Sequence, residues 1–347
     1  MTKFNRSNIS SVDYIWVDGN QYTARVRSKA RILSLPDEPQ IGDYPDWTFD
    51  GSLTDQGGNE DLHLAPVRQY VNPFKGGRNY LVLCEVNDAT GYAHPTSHRS
   101  GLRLLLDNSN IAPHQPWVGF GQHYSLVADE VDHANEEPLV EQELQPKTNA
   151  RIAEAHANAC LDAGLRLHSW HLSSHKDHWV FQLGCRDDND QYDPLEVADD
   201  LWVARYLLEQ IAQNYQQVVV YDSLSAPAPL SISISTLQTR NEVNGIAEIQ
   251  RIISVLETLE IVDRSSNEFK RQFYRSEDFN PGYTSRHSAF RIPAHVVMEL
   301  FGYFVDQRPR AKADPYRIAQ YLLGSLLVSE VSSERRARIQ KNSEVGA

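Results

Sequence analysis

Tyr14-Ile15-Trp16-Val17-Asp18-Gly19-Asn20-Gln21-Tyr22-Thr23-Ala24-Arg25-Val26 reads as a β-hairpin. Tyr14 to Val17 is a strand, Asp18-Gly19 favours a primed turn, and Tyr22 to Val26 alternates apolar with polar as a half-buried strand requires. Further strands are predicted near 62–67 and at 80–86, behind the turn-rich loop Thr54-Asp55-Gln56-Gly57-Gly58-Asn59. No long helical period interrupts this section, so the sequence predicts a small, mostly β unit over 12–105.

Helix and strand then alternate over 106–330. Ile152, Ala155, Ala159 and Ala163 recur at helical spacing, and Gly164 stands where a left-handed C-terminal cap belongs. Strands are predicted over Leu165 to Trp170, over His178 to Leu183 and, as a buried strand, over Val218 to Tyr221. Asp199 or Asp200 is expected to cap a helix whose stripe is Leu201, Ala204, Leu208, Ile211 and Tyr215. Another helix carries Ile246, Ile249, Ile253 and Leu256, and Asp314-Pro315 opens the last one. The acidic stretches 130–147 and 186–194 read as solvated loops, and 331–347 as a charged tail. Strands first, then mixed elements, predict an α+β fold.

A formal net charge of −13 leaves no basic surplus to release counterions from phosphates, which excludes nucleic acid and anionic membrane as expected partners. No apolar run reaches the roughly 18–20 residues of a membrane span, and the polar start Met1 to Ser7 points to a cytoplasmic protein. Cys84, Cys160 and Cys185 are an odd number without paired spacing, so buried thiols are expected rather than disulfides.

Several motifs occur in one register. They are Asp46-Trp47-Thr48-Phe49-Asp50-Gly51-Ser52, Leu81-Val82-Leu83-Cys84-Glu85-Val86, Glu154-Ala155-His156 with Ala163-Gly164, Leu201 to Tyr206, Arg291-Ile292-Pro293, and Gly302-Tyr303-Phe304 with Arg308-Pro309. Together they resemble the eukaryotic-like (type II) glutamine synthetases from about residue 12 to about residue 325. The resemblance implies a β-grasp-like N-terminal domain, then a catalytic-type domain on a curved antiparallel sheet. It also implies ring assembly, with a homo-oligomer or a true glutamine synthetase as partner, and ATP as the nucleotide. Asp50 matches the aspartate that faces a neighbouring subunit's site. Trp117, Tyr303, Arg286, Arg291 and Arg308 match nucleotide and phosphate positions.

The resemblance breaks at the metal ligands. Positions where that family carries its metal-binding residues, mostly glutamates, hold Gly121, His123, Ser173, Val180, Ser231 and Val305 here. Magnesium and manganese take hard oxygen ligands, so the sequence predicts that neither is held in the family's manner. A pseudoenzyme kept for assembly, ligand sensing or partner binding is one reading. A repurposed enzyme is the other: an amine–carboxylate ligase on another small molecule, or a site built on His171 and His175, since imidazoles suit zinc or acid–base work.

Overall fold

The computed structural model describes residues 8–20, 24–57, 60–129, 141–173, 178–184, 193–221 and 229–328. Alternating residues build the first sheet from β1 (Ile9–Val17), β2 (Val26–Ser34), β3 (Trp47–Asp50), β4 (Asp61–Val71) and β5 (Tyr80–Asn87). Their order is β2-β1-β5-β4-β3, with β1 and β5 parallel at the centre and the other pairs antiparallel. Val12, Tyr14 and Trp16 point into a small core with Phe49, Leu62 and Leu64, while Ile15, Leu81 and Leu83 join the main core. The sheet curls until its edges meet. Lys29 on β2 donates to the Thr48 carbonyl on β3 at 2.7 Å, and its ammonium lies 3.5 Å from the Trp47 ring centre.

The expected two-residue turn is corrected here. Val17 pairs with Val26, and the Asp18 amide donates to the Arg25 carbonyl, so the connection runs from 18 to 25. Asp18 organises this wider loop by accepting from the amides of Asn20 and Arg25 and from Arg27 Nε. Tyr22 and Thr23 lie outside the described residues.

The second sheet holds β6 (Trp117–Ala128), β7 (Leu167–Leu172), β8 (His178–Leu183), β9 (Gln217–Val220), β10 (Leu230–Ser235), β11 (Phe290–Arg291) and β12 (Phe304–Asp306). All its pairs are antiparallel, in the order β11-β12-β10-β6-β8-β7, with β9 against the far end of β6. One face, carrying Val118, Phe120, Tyr124, Phe181, Leu183, Ile232 and Phe304, packs into the main core. That core also takes in α2 (Glu141–Asp162) and α3 (Pro194–Asn214). The remaining helices are α1 (His98–Leu106), α4 (Gly245–Asp263), α5 (Asn267–Gln272), α6 (Ala294–Glu299) and a helix over 315–328, whose start is capped by Asp314 accepting from the Tyr316 amide.

Three expectations change. Asp193, not Asp199 or Asp200, caps α3, accepting from the Leu195 amide with Pro194 in the first turn. The strand over 217–220 is an edge rather than a buried strand, with Val218 43% exposed. The acidic stretch 130–147 is partly helical, since α2 covers its last residues. Gly164 does cap α2, at φ +79°, where a Cβ would be strained.

Asp199 and Asp200 of α3 are fully buried and tie the first sheet to the helices packed on it. Arg99 of α1 donates to Asp199 and to Glu85 of β5, and Tyr316 donates to Asp199. Arg68 of β4 pairs with Asp200 at 3.0 Å, as does Arg166 at 3.4 Å. Buried charge survives only when paired this completely. Cys84 and Cys160 are free and buried. Among the described residues, no helix is long and apolar enough to cross a membrane.

Candidate functional site

Strand alternation gives the second sheet a second face, opposite the core. Register shows which residues share it. Ser231 pairs with Gly121, which pairs with Gln182, which pairs with Ser169. In the next row His123 pairs with Val180 and Val180 with His171. On the other side Arg291 pairs with Val305, Val305 with Ser233 and Ser233 with Gly119. Gly121, His123, Val180, Ser231 and Val305, scattered over 185 positions of sequence, therefore lie on one face of one sheet.

The chemistry of this face is hydroxyl, amide, imidazole and guanidinium. None of its described strand residues carries a carboxylate. Across the described residues no group of three or more His, Cys, Asp and Glu could hold a metal ion. The two central glycines leave room that serines fill: a Cβ at Gly121 would stand 2.8 Å from Ser231 Oγ, and one at Gly119 2.8 Å from Ser233 Oγ. Ser169 Oγ donates to Gln182 Oε1 at 2.7 Å across the β7–β8 pair.

His171 is exposed near the end of β7, and Val180 stands between it and His123. Two strand spacings put those histidines about 10 Å apart at Cα. Ser173 follows the strand end, its amide donating to the His178 carbonyl. His175 lies outside the described residues, so the expected alignment of His171, Ser173 and His175 is described only in part.

The arginines and aromatics separate into different environments. Arg291 lies on the face, half-buried, and its Nε is buried without a hydrogen-bond partner. Tyr303 is close to it. Burial pushes the Tyr303 phenol up and the Arg291 charge opposes that shift. Arg286 is exposed in the loop before β11. Trp117, at the mouth of β6, has the Arg240 guanidinium 3.7 Å from its ring centre. Arg240 is held there by bonds to Ser235 Oγ and the Gln115 carbonyl.

Arg308 does not match its expected phosphate role. It is fully buried, donating to both Asp306 oxygens and to Glu260, with Phe290 4.2 Å from its guanidinium carbon. Strand alternation accounts for this: Asp306 points into the core beside Phe304, and Arg308 neutralises it there.

Asp50 ends β3 in the other sheet, exposed at the start of a short 3₁₀ turn. One carboxylate oxygen accepts from the Ser52 amide and hydroxyl, which holds the acid below its ordinary range. The turn behind it forms one wall of a polar cleft of about 230 Å³ lined by Asp18, Asn20, Arg25, Arg27, Ser52, Thr54 and Asp55. Arg240, Gln182 and Gln56 had no signal in the sequence reading, because side chains that reach across sheets and loops leave no local period.

No family model matches the chain. Whole-length relatives do. It is 32% identical to the glutamine synthetase of Colletotrichum gloeosporioides over 93% of each chain. It is 31% identical to that of Emericella nidulans, over 90% of this chain and 92% of the other. It is 28% identical to a putative glutamine synthetase of Acanthamoeba polyphaga mimivirus, over 94% and 96%. The cryo-EM structure of Plasmodium falciparum glutamine synthetase shares the fold at 12% identity, with a TM-score of 0.68 over 95% of this chain and 74% of that one. A curled N-terminal sheet followed by a separate antiparallel sheet with helices is thus a fold that a glutamine synthetase adopts. The chain belongs to the glutamine synthetase family.

Proposed function

We propose that this protein does not make glutamine by a metal- and ATP-dependent route and serves as a pseudoenzyme in assembly, ligand sensing or partner binding. The observation that carries the reading is the carboxylate-free face of the second sheet. By resemblance, Gly121, His123, Val180, Ser231 and Val305 occupy metal-ligand positions, and Ser173 a sixth. Magnesium and manganese take oxygen ligands, magnesium sites in proteins supplying at least one or two carboxylates beside waters and substrate phosphates. The groups present do not fit them, and phosphoryl transfer without charge neutralisation loses most of its catalysis.

The proposed organisation is a β-grasp-like unit over 12–105, a catalytic-type unit over 106–330 and a charged tail over 331–347. The Asp50 turn supports a homo-oligomer, alone or with a true glutamine synthetase, and the setting proposed for it is cytoplasmic. Arg286, Arg291, Trp117 and Tyr303 are the residues proposed to meet a nucleotide or another small anion; Arg308 is excluded from that set by its buried pairs. A zinc or acid–base centre on His171 and His175 is the competing outcome.

The test is γ-glutamyl hydroxamate formation and magnesium-dependent ATP hydrolysis, alongside a thermal-shift screen with ATP, glutamate and divalent ions. The expected result is no product and no metal-dependent shift. Turnover at enzyme-like rates would overturn the reading. Stoichiometric zinc, lost in His171→Ala, would establish the competing centre.

A further inference from the structure

The polar cleft at the end of β1 carries charges that its own residues leave partly unused. One wall is the β1–β2 loop, fixed by Asp18. That side chain is 4% exposed and accepts from the amides of Asn20 and Arg25 and from Arg27 Nε. The opposite wall is the turn after β3. There Gln56, 2% exposed, donates to the Val17 carbonyl at 3.2 Å and to Thr96 Oγ1 at 3.0 Å. The walls meet at Gly19, where a Cβ would stand 2.4 Å from the Asp55 carbonyl oxygen. Asn20 Nδ2 closes the contact by donating to Asp55 Oδ2 at 2.6 Å. Both walls are held by bonds within the chain, so a ligand entering between them would not have to order them.

Charge of both signs faces the space between the walls. Arg27 is held through Nε, and the edge formed by its two terminal nitrogens has no partner among the described residues; the side chain is half exposed. That edge is the fork that grips a carboxylate with two parallel bonds. Arg25 lines the same cleft, exposed, and its guanidinium makes no hydrogen bond among the described residues. Burial raises the Glu209 pKa, and Arg25, Arg205 and Lys312 together oppose that shift, so Arg25 is not the sole counter-charge of that acid. Across the cleft, Asp55 gives only Oδ2 to Asn20 and keeps Oδ1 for another donor. Two arginines and two aspartates line the cleft, so their formal charges cancel. A dianion such as phosphate meets no positive surplus there, and a simple amine no negative one. A molecule carrying one carboxylate and one ammonium matches both. At about 230 Å³ the cleft is smaller than the roughly 300–1,000 Å³ of sites for drug-sized ligands, which suits a small metabolite.

We infer that this cleft binds a free α-amino acid, its carboxylate on the Arg27 fork and Arg25, and its ammonium on Asp55. The site belongs to the first sheet. It goes beyond the function proposed above and holds whether or not the face of the second sheet turns over a substrate.

The test is isothermal titration calorimetry of each proteinogenic L-α-amino acid into the full chain and into Arg25→Met, Arg27→Lys and Asp55→Asn. Circular dichroism checks the fold of each variant. The tightest binder is then compared with its analogue lacking the ammonium, its analogue lacking the carboxylate, and inorganic phosphate. Expected is one site per chain, weakened tenfold or more in Arg25→Met and in Asp55→Asn, and tenfold or more for either analogue. Arg27→Lys keeps a cation against Asp18 but loses the fork, and a similar loss is expected. Should that variant misfold, Arg25→Met and Asp55→Asn decide the matter, because neither removes a partner of Asp18. No binding of any amino acid at millimolar concentration overturns the inference, as does equal binding of the carboxylate analogue or of phosphate. Affinity unchanged in all three variants but lost in Arg291→Met places the ligand on the second sheet and overturns it too. Hydroxamate formation would overturn the pseudoenzyme reading and leave this site standing.

Discussion

His156, in α2, shows how one buried side chain sets a pH dependence. Its ring contacts the Ala204 carbonyl at 3.0 Å and Cys160 Sγ at 3.2 Å, fully inside the core. Desolvation disfavours the imidazolium and lowers its pKa to about 4, partly opposed by the Ala204 carbonyl. The folded state then binds fewer protons than the unfolded chain between that value and an ordinary histidine pKa of about 6.5. This group's stability is present in full above pH 6.5 and is lost as pH falls toward 4, by on the order of 3 kcal/mol. Urea denaturation of wild type and His156→Gln at pH 7 and pH 5 should show the steeper loss in wild type; parallel losses would refute the assignment. Arg308 gives a second residue-scale expectation. Arg308→Gln leaves Asp306 and Glu260 buried against each other and should cost about 3–5 kcal/mol in the same measurement. Sequence could name Arg308 by its motif but not its environment, because Glu260 is 48 positions away.

At the scale of elements, β8 was legible to the residue and the helices through α2, α3 and α4 from their stripes. Their starts were less so: two adjacent aspartates at 199 and 200 resemble a cap, and only the tertiary pairing with Arg68 and Arg99 explains why they sit mid-helix. The short α1 was missed because nine residues hold too few turns for a period. The β6–β10 pair makes its own expectation. Gly121→Glu alone should destabilise by about 1–3 kcal/mol, since its Cβ meets Ser231 Oγ, and Ser231→Gly added to it should recover most of that loss. Equal stability of the two variants would show that the serine yields freely. The C-terminus of α6 offers a gain instead: Leu300 sits at φ +68°, 53% exposed, so Leu300→Gly should stabilise by about 1 kcal/mol, read from the thermal midpoint.

Across the whole molecule, the fold is one that a glutamine synthetase adopts, and one face of the second sheet carries no carboxylate on its described strands. The first sheet is joined to α1 and α3 through Arg68, Arg99, Asp199 and Asp200, and Asp50 ends β3 at the start of a 3₁₀ turn. The face between β7 and β12 carries serine, glycine, valine and histidine. Spacing alone could not group those residues; strand register places them side by side. The decisive measurement is a titration of manganese followed by electron paramagnetic resonance, with ATP and glutamate present. The account predicts that the ion stays free or bound to nucleotide in solution, with no stoichiometric protein-bound signal. One or more manganese ions held per chain at micromolar affinity would contradict it.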